Sequence, residues 1–269
     1  MTIVVEPDRQ GVPATTQPGR DIAAPAVRIA GVSKRFGVGR NAVLALDRVS
    51  LDVERGEFLC IVGASGCGKS TLLNLVAGLD AATVGSVAVQ GRVALMFQEA
   101  ALLPWRTAAQ NVELALKLRK VPRADRREQA LDLLSLVRLQ DFADRRPHEL
   151  SGGMRQRVAL ARALGQGADV LLMDEPFGAL DAITRDVLHD EVERVAFEQH
   201  LTTIFVTHNV REAARLGDRI VLLSSRPGRV AATFGVPVER PRRIESPEVS
   251  AIAADVTVRL REEVRRHAG

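Results

Sequence analysis

Short apolar runs separated by turn residues occupy the first hundred positions and predict β-strands. Turns at Glu54-Arg55-Gly56 and Gln90-Gly91 bound several of these runs. The chain before them, residues 1–25, is rich in proline, glycine, threonine and charge without periodicity, so we expect a disordered leader there. The predicted strands cover residues 27–32, 57–62, 86–89 and 93–97.

The apolar spacing becomes helical after the second of these strands and again from about Glu99. Leucines within residues 69–78 predict a helix that packs on the sheet and ends at Gly78. Three further helices are predicted, one capped by Thr107 and reaching toward Lys120, one over 125–136, and one capped by Ser151 and running to Leu164. Residues 99–165 are therefore expected to form a helical insertion.

Strands and helices alternate again beyond the insertion, which is typical of a parallel α/β sheet. We expect a main domain over residues 26–240 and a helical tail over 241–269. The predicted strands are 170–173, 203–206 and 220–223, and the predicted helices are 183–197, 211–216 and 248–267.

Composition narrows the class of protein without identifying it. A chain of 269 residues that is 46% hydrophobic and 26% charged can bury the core of one large domain with a sub-domain. Its apolar runs are shorter than the roughly 20 residues of a membrane-spanning helix, and its start lacks a signal peptide, so we expect it to stay in the cytoplasm. Cys60, in a strand, and Cys67, in a loop, are not expected to form a disulfide or zinc site.

The charge balance does not favour nucleic acid as a partner. The 37 basic and 33 acidic residues leave a net charge of +4, and acidic residues stand beside most arginine clusters. Aromatic residues that could stack on bases make up 3% of the chain. We therefore predict no nucleic-acid partner.

A glycine-rich loop between a predicted strand and a predicted helix provides the first chemical motif. In such a loop, backbone N–H groups converge on the β- and γ-phosphates of a nucleotide, a lysine adds positive charge, and a hydroxyl can ligate Mg²⁺. Lys69 and Ser70 take the last two roles. The loop residues are Gly63, Ala64, Ser65, Gly66, Cys67, Gly68, Lys69, Ser70 and Thr71.

Two carboxylates follow the apolar run Val170-Leu-Leu-Met173, where an open α/β sheet binds its nucleotide. Asp174 is positioned to hold Mg²⁺ directly or through water. Glu175 is positioned to polarise the water that attacks the phosphoanhydride. The pair therefore predicts nucleotide hydrolysis as well as binding.

A second phosphate-binding helix start lies at Ser151, Gly152 and Gly153. A single nucleotide site has no obvious use for it, because the loop at Gly63–Thr71 already holds the phosphates. Its presence implies ATP shared between two copies of the chain.

These motifs, in this order, resemble the nucleotide-binding subunits of ABC transporters from about Val27 to Arg229. The resemblance implies an α/β fold with a P-loop NTPase core and parallel sheet, an antiparallel β subdomain and a helical insertion. It implies ATP and Mg²⁺ as cofactors and a homodimer of ATPase subunits.

The resemblance also implies roles for individual residues. Ser151, with Gly152 and Gly153, contacts the γ-phosphate of ATP held by the partner subunit. Gln98 meets Mg²⁺ and links the core to the insertion, and His208 is the switch histidine. Asp181 lies in the loop that crosses between subunits, and Phe36 stacks on adenine.

Two positions depart from the family pattern. Phe36 stands where the family more often has tyrosine, and Met154 stands where glutamine is commoner. We expect phosphate contact to survive the second change, because it depends on the Ser151 hydroxyl and the backbone.

The remaining partners and the cargo are likewise implied by resemblance. Transmembrane permease subunits would dock near Gln98 and the segment 102–105, with a periplasmic or lipid-anchored solute-binding protein completing the complex. The ATPase would lie peripherally on the cytoplasmic face of the membrane. The segments 96–105, 150–157 and 225–228 resemble the importer branch for nitrate, taurine and aliphatic sulfonates, with aliphatic sulfonate the first expectation and taurine or nitrate the alternatives.

Other functional classes account less well for the motifs. A soluble, non-transport ABC ATPase of DNA repair or chromosome organisation would carry a long insertion between the loop and the signature, and the stretch from Lys69 to Ser151 is too short for one. A ribosome-associated translation factor usually carries two such domains. A P-loop kinase offers no role for Ser151–Gly153.

Overall fold

The computed structural model describes residues 24–37, 39–178 and 180–267. The predicted leader lies outside these ranges, apart from Ala24 and Pro25. The described chain contains runs of strands and helices in mixed order. The strands are β1 (Val27–Phe36), β2 (Val43–Val53), β3 (Phe58–Val62), β4 (Val84–Val89), β5 (Val93–Met96), β6 (Val170–Asp174), β7 (Thr202–Val206), β8 (Arg219–Leu223) and β9 (Val230–Gly235). The α-helices are α1 (Lys69–Val76), α2 (Ala108–Leu118), α3 (Arg126–Leu136), α4 (Gly152–Gly165), α5 (Ala182–Glu198), α6 (Val210–Leu216) and α7 (Pro247–His267).

The larger sheet has six strands in the order β5-β6-β7-β3-β8-β9. The first five run parallel, and β9 pairs antiparallel with β8. Every residue of β3 and β7 is buried, which explains why the sequence shows them as continuous apolar runs. Because these strands run parallel, the loops that follow β3, β5, β6 and β7 all leave from one edge of the sheet.

The smaller sheet has three antiparallel strands in the order β2-β1-β4. The sequence pattern does not predict β2, because only part of this strand is buried and charged residues such as Asp47 and Arg48 interrupt its apolar positions. It also misses β9, an edge strand with no buried residue. The other predicted strands and helices agree with the structure within a few residues.

The larger sheet separates two hydrophobic cores. Alternate residues of β3 enter different cores, because successive side chains of a strand point to opposite faces. Phe58, Cys60 and Val62 pack with helices α2 to α7, whereas Leu59 and Ile61 pack with α1 and the smaller sheet. The phosphate-loop segment is therefore supported by packing on both sides of the strand that precedes it.

Helices α2, α3 and α4 pack against one another between β5 and β6. Thr107 caps α2 through a capping box with Gln110, as predicted for Thr107 from the sequence. The buried amide of Asn111 donates to the carbonyl oxygens of Leu103, Arg106 and Thr107 and accepts from the Leu103 N–H at 2.8 Å. This side chain fixes the turn that leads from the sheet into the helices.

Within the described ranges, no helix combines the length and apolar character needed to cross a membrane.

Leu72 and Leu118 provide a test of the core beneath the loop. Leu72 in α1 is fully buried, whereas Leu118 in α2 is 75% exposed. Leu72→Ala should lower the free energy of unfolding by about 2–5 kcal/mol because it leaves a cavity. Leu118→Ala should change it by less than about 0.5 kcal/mol. Urea unfolding followed by circular dichroism measures both, and equal losses would contradict the packing described for α1.

Candidate nucleotide-binding site

The loop between β3 and α1 has a backbone shape that requires glycine. Gly66 and Gly68 have φ angles of +75° and +100°. A Cβ atom on Gly68 would lie 2.7 Å from Leu46 Cδ2, and one on Gly63 would lie 2.7 Å from the Cys67 sulfur. The loop therefore forms a tight concave backbone turn that ends at a helix N-terminus, which suits the phosphate chain of a nucleotide.

Lys69 is held across this turn. Its side chain is 6% exposed, and its ammonium donates to the carbonyl oxygens of Gly63 at 3.0 Å and Ala64 at 3.1 Å. These bonds fix a positive charge at the loop, beside the N-terminal N–H groups of α1. The site is thus electrostatically suited to an anion.

Asp174, the last residue of β6, lies against the start of α1. Burial raises the pKa of its carboxyl, and a hydrogen bond from the Ser70 side chain acts in the opposite direction. One carboxylate beside one hydroxyl is the small oxygen donor set that Mg²⁺ uses together with substrate phosphates. Ser70 and Asp174, two of the residues predicted to hold Mg²⁺, therefore have the chemistry that this ion requires.

Glu175 follows in a backbone conformation that is uncommon for a side chain of its type. Its φ is +45°, and its N–H donates to the Val206 carbonyl at 2.9 Å, which anchors it to the end of β7. One carboxylate oxygen lies 2.8 Å from His208 Nδ1, and the other lies 3.8 Å from Lys69 Nζ. Glu175 thus combines a left-handed backbone conformation with contacts from His208 and Lys69. Such strained backbone conformations occur often at functional sites.

Gln98 approaches this group from β5. A Cβ on Gly178, three residues after Glu175, would lie 3.4 Å from Gln98 Nε2, so the exposed Gln98 side chain borders the loop that carries Glu175. The Gln98 carbonyl accepts from Gln156 Nε2 of α4 at 2.6 Å. Gln156 was not predicted, because its helical spacing does not distinguish it from a surface glutamine.

Ser151 and Asp181 begin two helices that pack against each other. Ser151 Oγ accepts from the Met154 N–H at 3.2 Å, which confirms the predicted cap of α4, and Asp181 caps α5 through the Thr184 N–H at 3.0 Å. That backbone bond, with the Thr184 hydroxyl, lowers the pKa of Asp181. A Cβ on Gly153 would lie 2.5 Å from Thr184 Cγ2, so only glycine fits between the helix starts.

Three predicted site residues, Phe36, Ser151 and Asp181, have no described contact with Lys69, Glu175 or His208. Phe36 ends β1 with 44% of its surface exposed, and the Lys34 ammonium lies 4.9 Å from its ring centroid. The Lys34 ammonium also donates to Asp80 and to the Ala81 carbonyl. One face of the aromatic ring is therefore supported by a fixed cation.

A buried histidine in α5, His189, was also missed by the sequence analysis. His189 of α5 is fully buried, its ring centroid is 5.4 Å from that of Phe177, and its nitrogens lie 3.7 Å from Asp186 and Glu212. Burial, with the charges of Arg215 and Arg185 acting in the same direction, lowers the pKa of His189 to about 3. Burial also raises the pKa of Glu212.

A glycine loop before a helix, an Asp-Glu pair at a neighbouring strand end and a glycine-rich helix start on a separate element define an ABC-type ATPase. The ABC transporter family model matches residues 46–178. The chain is 46% identical over 236 residues to the aliphatic sulfonates import ATP-binding protein of Mesorhizobium japonicum, covering 86% of each chain. It is 44% identical over 240 residues to the taurine import ATP-binding protein of Rhizobium johnstonii, covering 86% of this chain and 90% of that one. The chain belongs to the family of ABC transporter ATP-binding proteins.

A solved structure confirms the fold class. A dimeric ATP-binding cassette in a post-hydrolysis state, bound to ADP and Pi, is 33% identical and superposes with a TM-score of 0.70. The match covers 79% of this chain and 100% of that chain. The predicted α/β architecture of parallel core, antiparallel β subdomain and helical insertion is therefore correct.

The buried His189 should make the protein less stable in acid. Because its pKa is lowered on folding, the unfolded chain binds more protons below the ordinary value near 6.5, and stability is lost as pH falls from there toward about 3. His189→Leu should reduce the loss of unfolding free energy between pH 7.5 and 5.5, measured by urea titration. His148→Leu, at an exposed position, is the control, and an unchanged loss in His189→Leu would contradict the assignment.

Proposed function

We propose that this chain is the ATP-hydrolysing subunit of a membrane importer, most consistent with import of aliphatic sulfonates. The observation that carries the ATPase assignment is the convergence of Lys69, Glu175 and His208 beside the Ser70–Asp174 pair. Those groups come from three separate chain segments, the start of α1, the end of β6 and the turn after β7, and each is a type that phosphoanhydride hydrolysis requires.

Nucleotide binding would use the loop and its flanking groups. Lys69 and the loop N–H groups would hold the β- and γ-phosphates, and the exposed face of Phe36 would stack on the adenine. Ser70, Asp174 and Gln98 would hold Mg²⁺, which neutralises phosphate charge when it is bound. Lys69 is already oriented by two carbonyls of the same loop, so little reorganisation of that side chain would be needed.

Hydrolysis would depend on Glu175. Its carboxylate would orient a water molecule and accept its proton as the water oxygen bonds to the γ-phosphorus and the bond to the bridging oxygen breaks, giving ADP and phosphate. His208 would hold the Glu175 carboxylate in position through the 2.8 Å contact. The anchored backbone of Glu175 limits the freedom of that side chain.

The second phosphate-binding group would act in the partner subunit. Ser151 caps α4, and the described contacts of Lys69, Glu175 and His208 do not involve it. This supports the proposal that Ser151, Gly152 and Gly153 contact ATP held by another copy. Two copies about a two-fold axis would then bury two ATP molecules, with Asp181 in the crossing loop. The similarity to a dimeric cassette supports the same arrangement.

Glu175→Gln tests the shared site. Without the carboxylate, ATP should bind but not be hydrolysed, so the variant should form a stable dimer with ATP and Mg²⁺ in size-exclusion chromatography. Adding Ser151→Arg to this variant should abolish the dimer while leaving the binding of a fluorescent ATP analogue unchanged, because the arginine would occupy the partner's phosphate position. A Glu175→Gln variant that stays monomeric with ATP and Mg²⁺ would argue against the proposal.

The names of the two relatives, both of which are import ATP-binding proteins, support the proposal of importer partners. The chain would bind transmembrane permease subunits and lie peripherally on the cytoplasmic face of the membrane, in a complex with a periplasmic or lipid-anchored solute-binding protein. Trp105, 68% exposed on the turn that Asn111 fixes, is a suitable contact for the permease. It follows Gln98 by seven positions in the chain, so a contact at Trp105 would act on the segment that leads to the ATP site.

The cargo is proposed as an aliphatic sulfonate, with taurine as the second candidate. The sulfonate relative is 46% identical and the taurine relative 44% identical over similar lengths. Taurine is itself a small sulfonate, so both candidates share the same anionic group.

Whole-cell uptake tests both the function and the cargo. A strain lacking this protein should regain uptake of labelled alkanesulfonate when complemented with the wild type and not with Lys69→Ala. Rescue of taurine or nitrate uptake instead would retain the importer and change the cargo. Absence of rescue for all three compounds, with the wild-type chain expressed, would contradict the proposed cargo class.

A further inference from the structure

A partly buried ion pair connects the segments that carry Glu175 and His208, and the proposed hydrolysis does not use it. Arg185 lies in the first turn of α5, and Glu212 lies in α6. Arg185 Nε is 3.6 Å from Glu212 Oε1, with the two side chains 27% and 7% exposed. They come from helices that follow different strands, so the pair connects separate parts of the site.

On one side, the pair contacts the segment that contains His208. The Thr207 hydroxyl donates to Glu212 Oε2 at 2.7 Å and accepts from the Asn209 N–H at 2.9 Å. Thr207 and Asn209 are the two neighbours of His208. Glu212 therefore restrains the backbone on both sides of the histidine through one hydroxyl group.

On the other side, the pair contacts the segment that begins with Glu175. Arg185 Nη2 donates to the Leu180 carbonyl at 2.7 Å. Backbone bonds from the Leu180 N–H to Phe177 and from the Gly178 N–H to Glu175 connect that carbonyl back to the carboxylate. A small cavity between the segments is lined by both members of the ion pair together with Glu175 and His208.

Stability alone does not account for this arrangement. A buried ion pair gains little net free energy, because desolvation offsets the attraction between the charges. Its geometry is more informative, since the Arg185 guanidinium faces the Glu212 carboxylate of α6 at ion-pair distance and also donates a hydrogen bond to the Leu180 carbonyl. Such a side chain makes the positions of the two loops depend on each other.

We propose that Arg185 and Glu212 are positioning residues that couple the loop ending at Asp181 to the Glu175–His208 contact. The inference rests on the proposed function, in which that loop crosses to the partner subunit. Movement of the loop would reach His208 through Leu180, Arg185, Glu212 and Thr207. The pair would thus align Glu175 and His208 for hydrolysis when the crossing loop is in place.

Helix α5 contains a matched control. Arg194 is 30% exposed, pairs with the 3% exposed Glu191 at 2.7 Å and donates to the Leu136 carbonyl, far along the helix from Glu175. Arg194 also pairs with Glu198 at 2.6 Å, so it combines ion pairs with a carbonyl bond, as Arg185 does, and none of these partners belongs to the segments that carry Glu175 and His208. Arg194→Ala and Glu191→Gln therefore measure the structural cost of losing such a pair.

The test is steady-state ATP hydrolysis by the full-length protein, with the melting temperature measured in parallel. Arg185→Ala and Glu212→Gln should each lower kcat about tenfold and change KM by less than about twofold, since Lys69 and the loop remain intact. The double variant should fall no further than either single variant. Arg185→Lys should recover part of kcat, because lysine keeps the charge that faces Glu212 but lacks the planar guanidinium that also reaches the Leu180 carbonyl. Arg194→Ala and Glu191→Gln should keep wild-type kcat even if they melt earlier.

Equal kcat losses in the Arg185 and Arg194 variants, or additive losses in the double variant, would overturn the inference and leave the proposed function standing. An inactive wild type, or a Lys69→Ala variant as active as the wild type, would instead contradict the proposed function. The two failures are therefore distinguishable in one set of assays.

Discussion

The parallel pairing of β3, β6 and β7 is the constraint on which the site depends. Their pairing places the carboxyl ends of the three strands along one edge, so Lys69, Glu175 and His208 meet although more than a hundred positions separate the first from the second. The β6–β7 register also lets the Glu175 N–H bond the Val206 carbonyl. A shift of one residue in the pairing register would move each side chain of the strand to the opposite face of the sheet. The packing of the two cores therefore fixes the register, and with it the positions of Lys69, Glu175 and His208.

The features that could be predicted from the sequence depend on interactions between residues that are close in the chain. The phosphate loop was identifiable because its glycines are required by its own φ angles and by contacts with Leu46 and Cys67. The caps at Thr107 and Ser151 were identifiable for the same reason, since each bonds an N–H three residues away. The Asp-Glu pair was placed by the buried strand directly before it.

What escaped prediction depends on tertiary packing. Gln156, Arg185, His189 and Glu212 carry ordinary helical spacing, and each has a partner on another element. β2 was missed because its burial comes from pairing with β1 and not from a continuous apolar run. Burial of a polar residue is a property of the assembled fold, so a linear pattern that shows a glutamate on a helix cannot show that its carboxylate is enclosed.

Helix α4 has a consequence for how motion could spread through the subunit. Its first turn begins at Ser151, its second holds the carbonyl of Gln98 through Gln156, and further along Arg162 donates to the carbonyls of Ala100 and Ala101. Its 14 residues form a rod about 21 Å long. A tilt imposed at one end of such a rod displaces the other end without bending it. A displacement of Ser151 would therefore also shift the segment after β5 that is bonded to α4. A displacement of that segment would in turn shift Ser151.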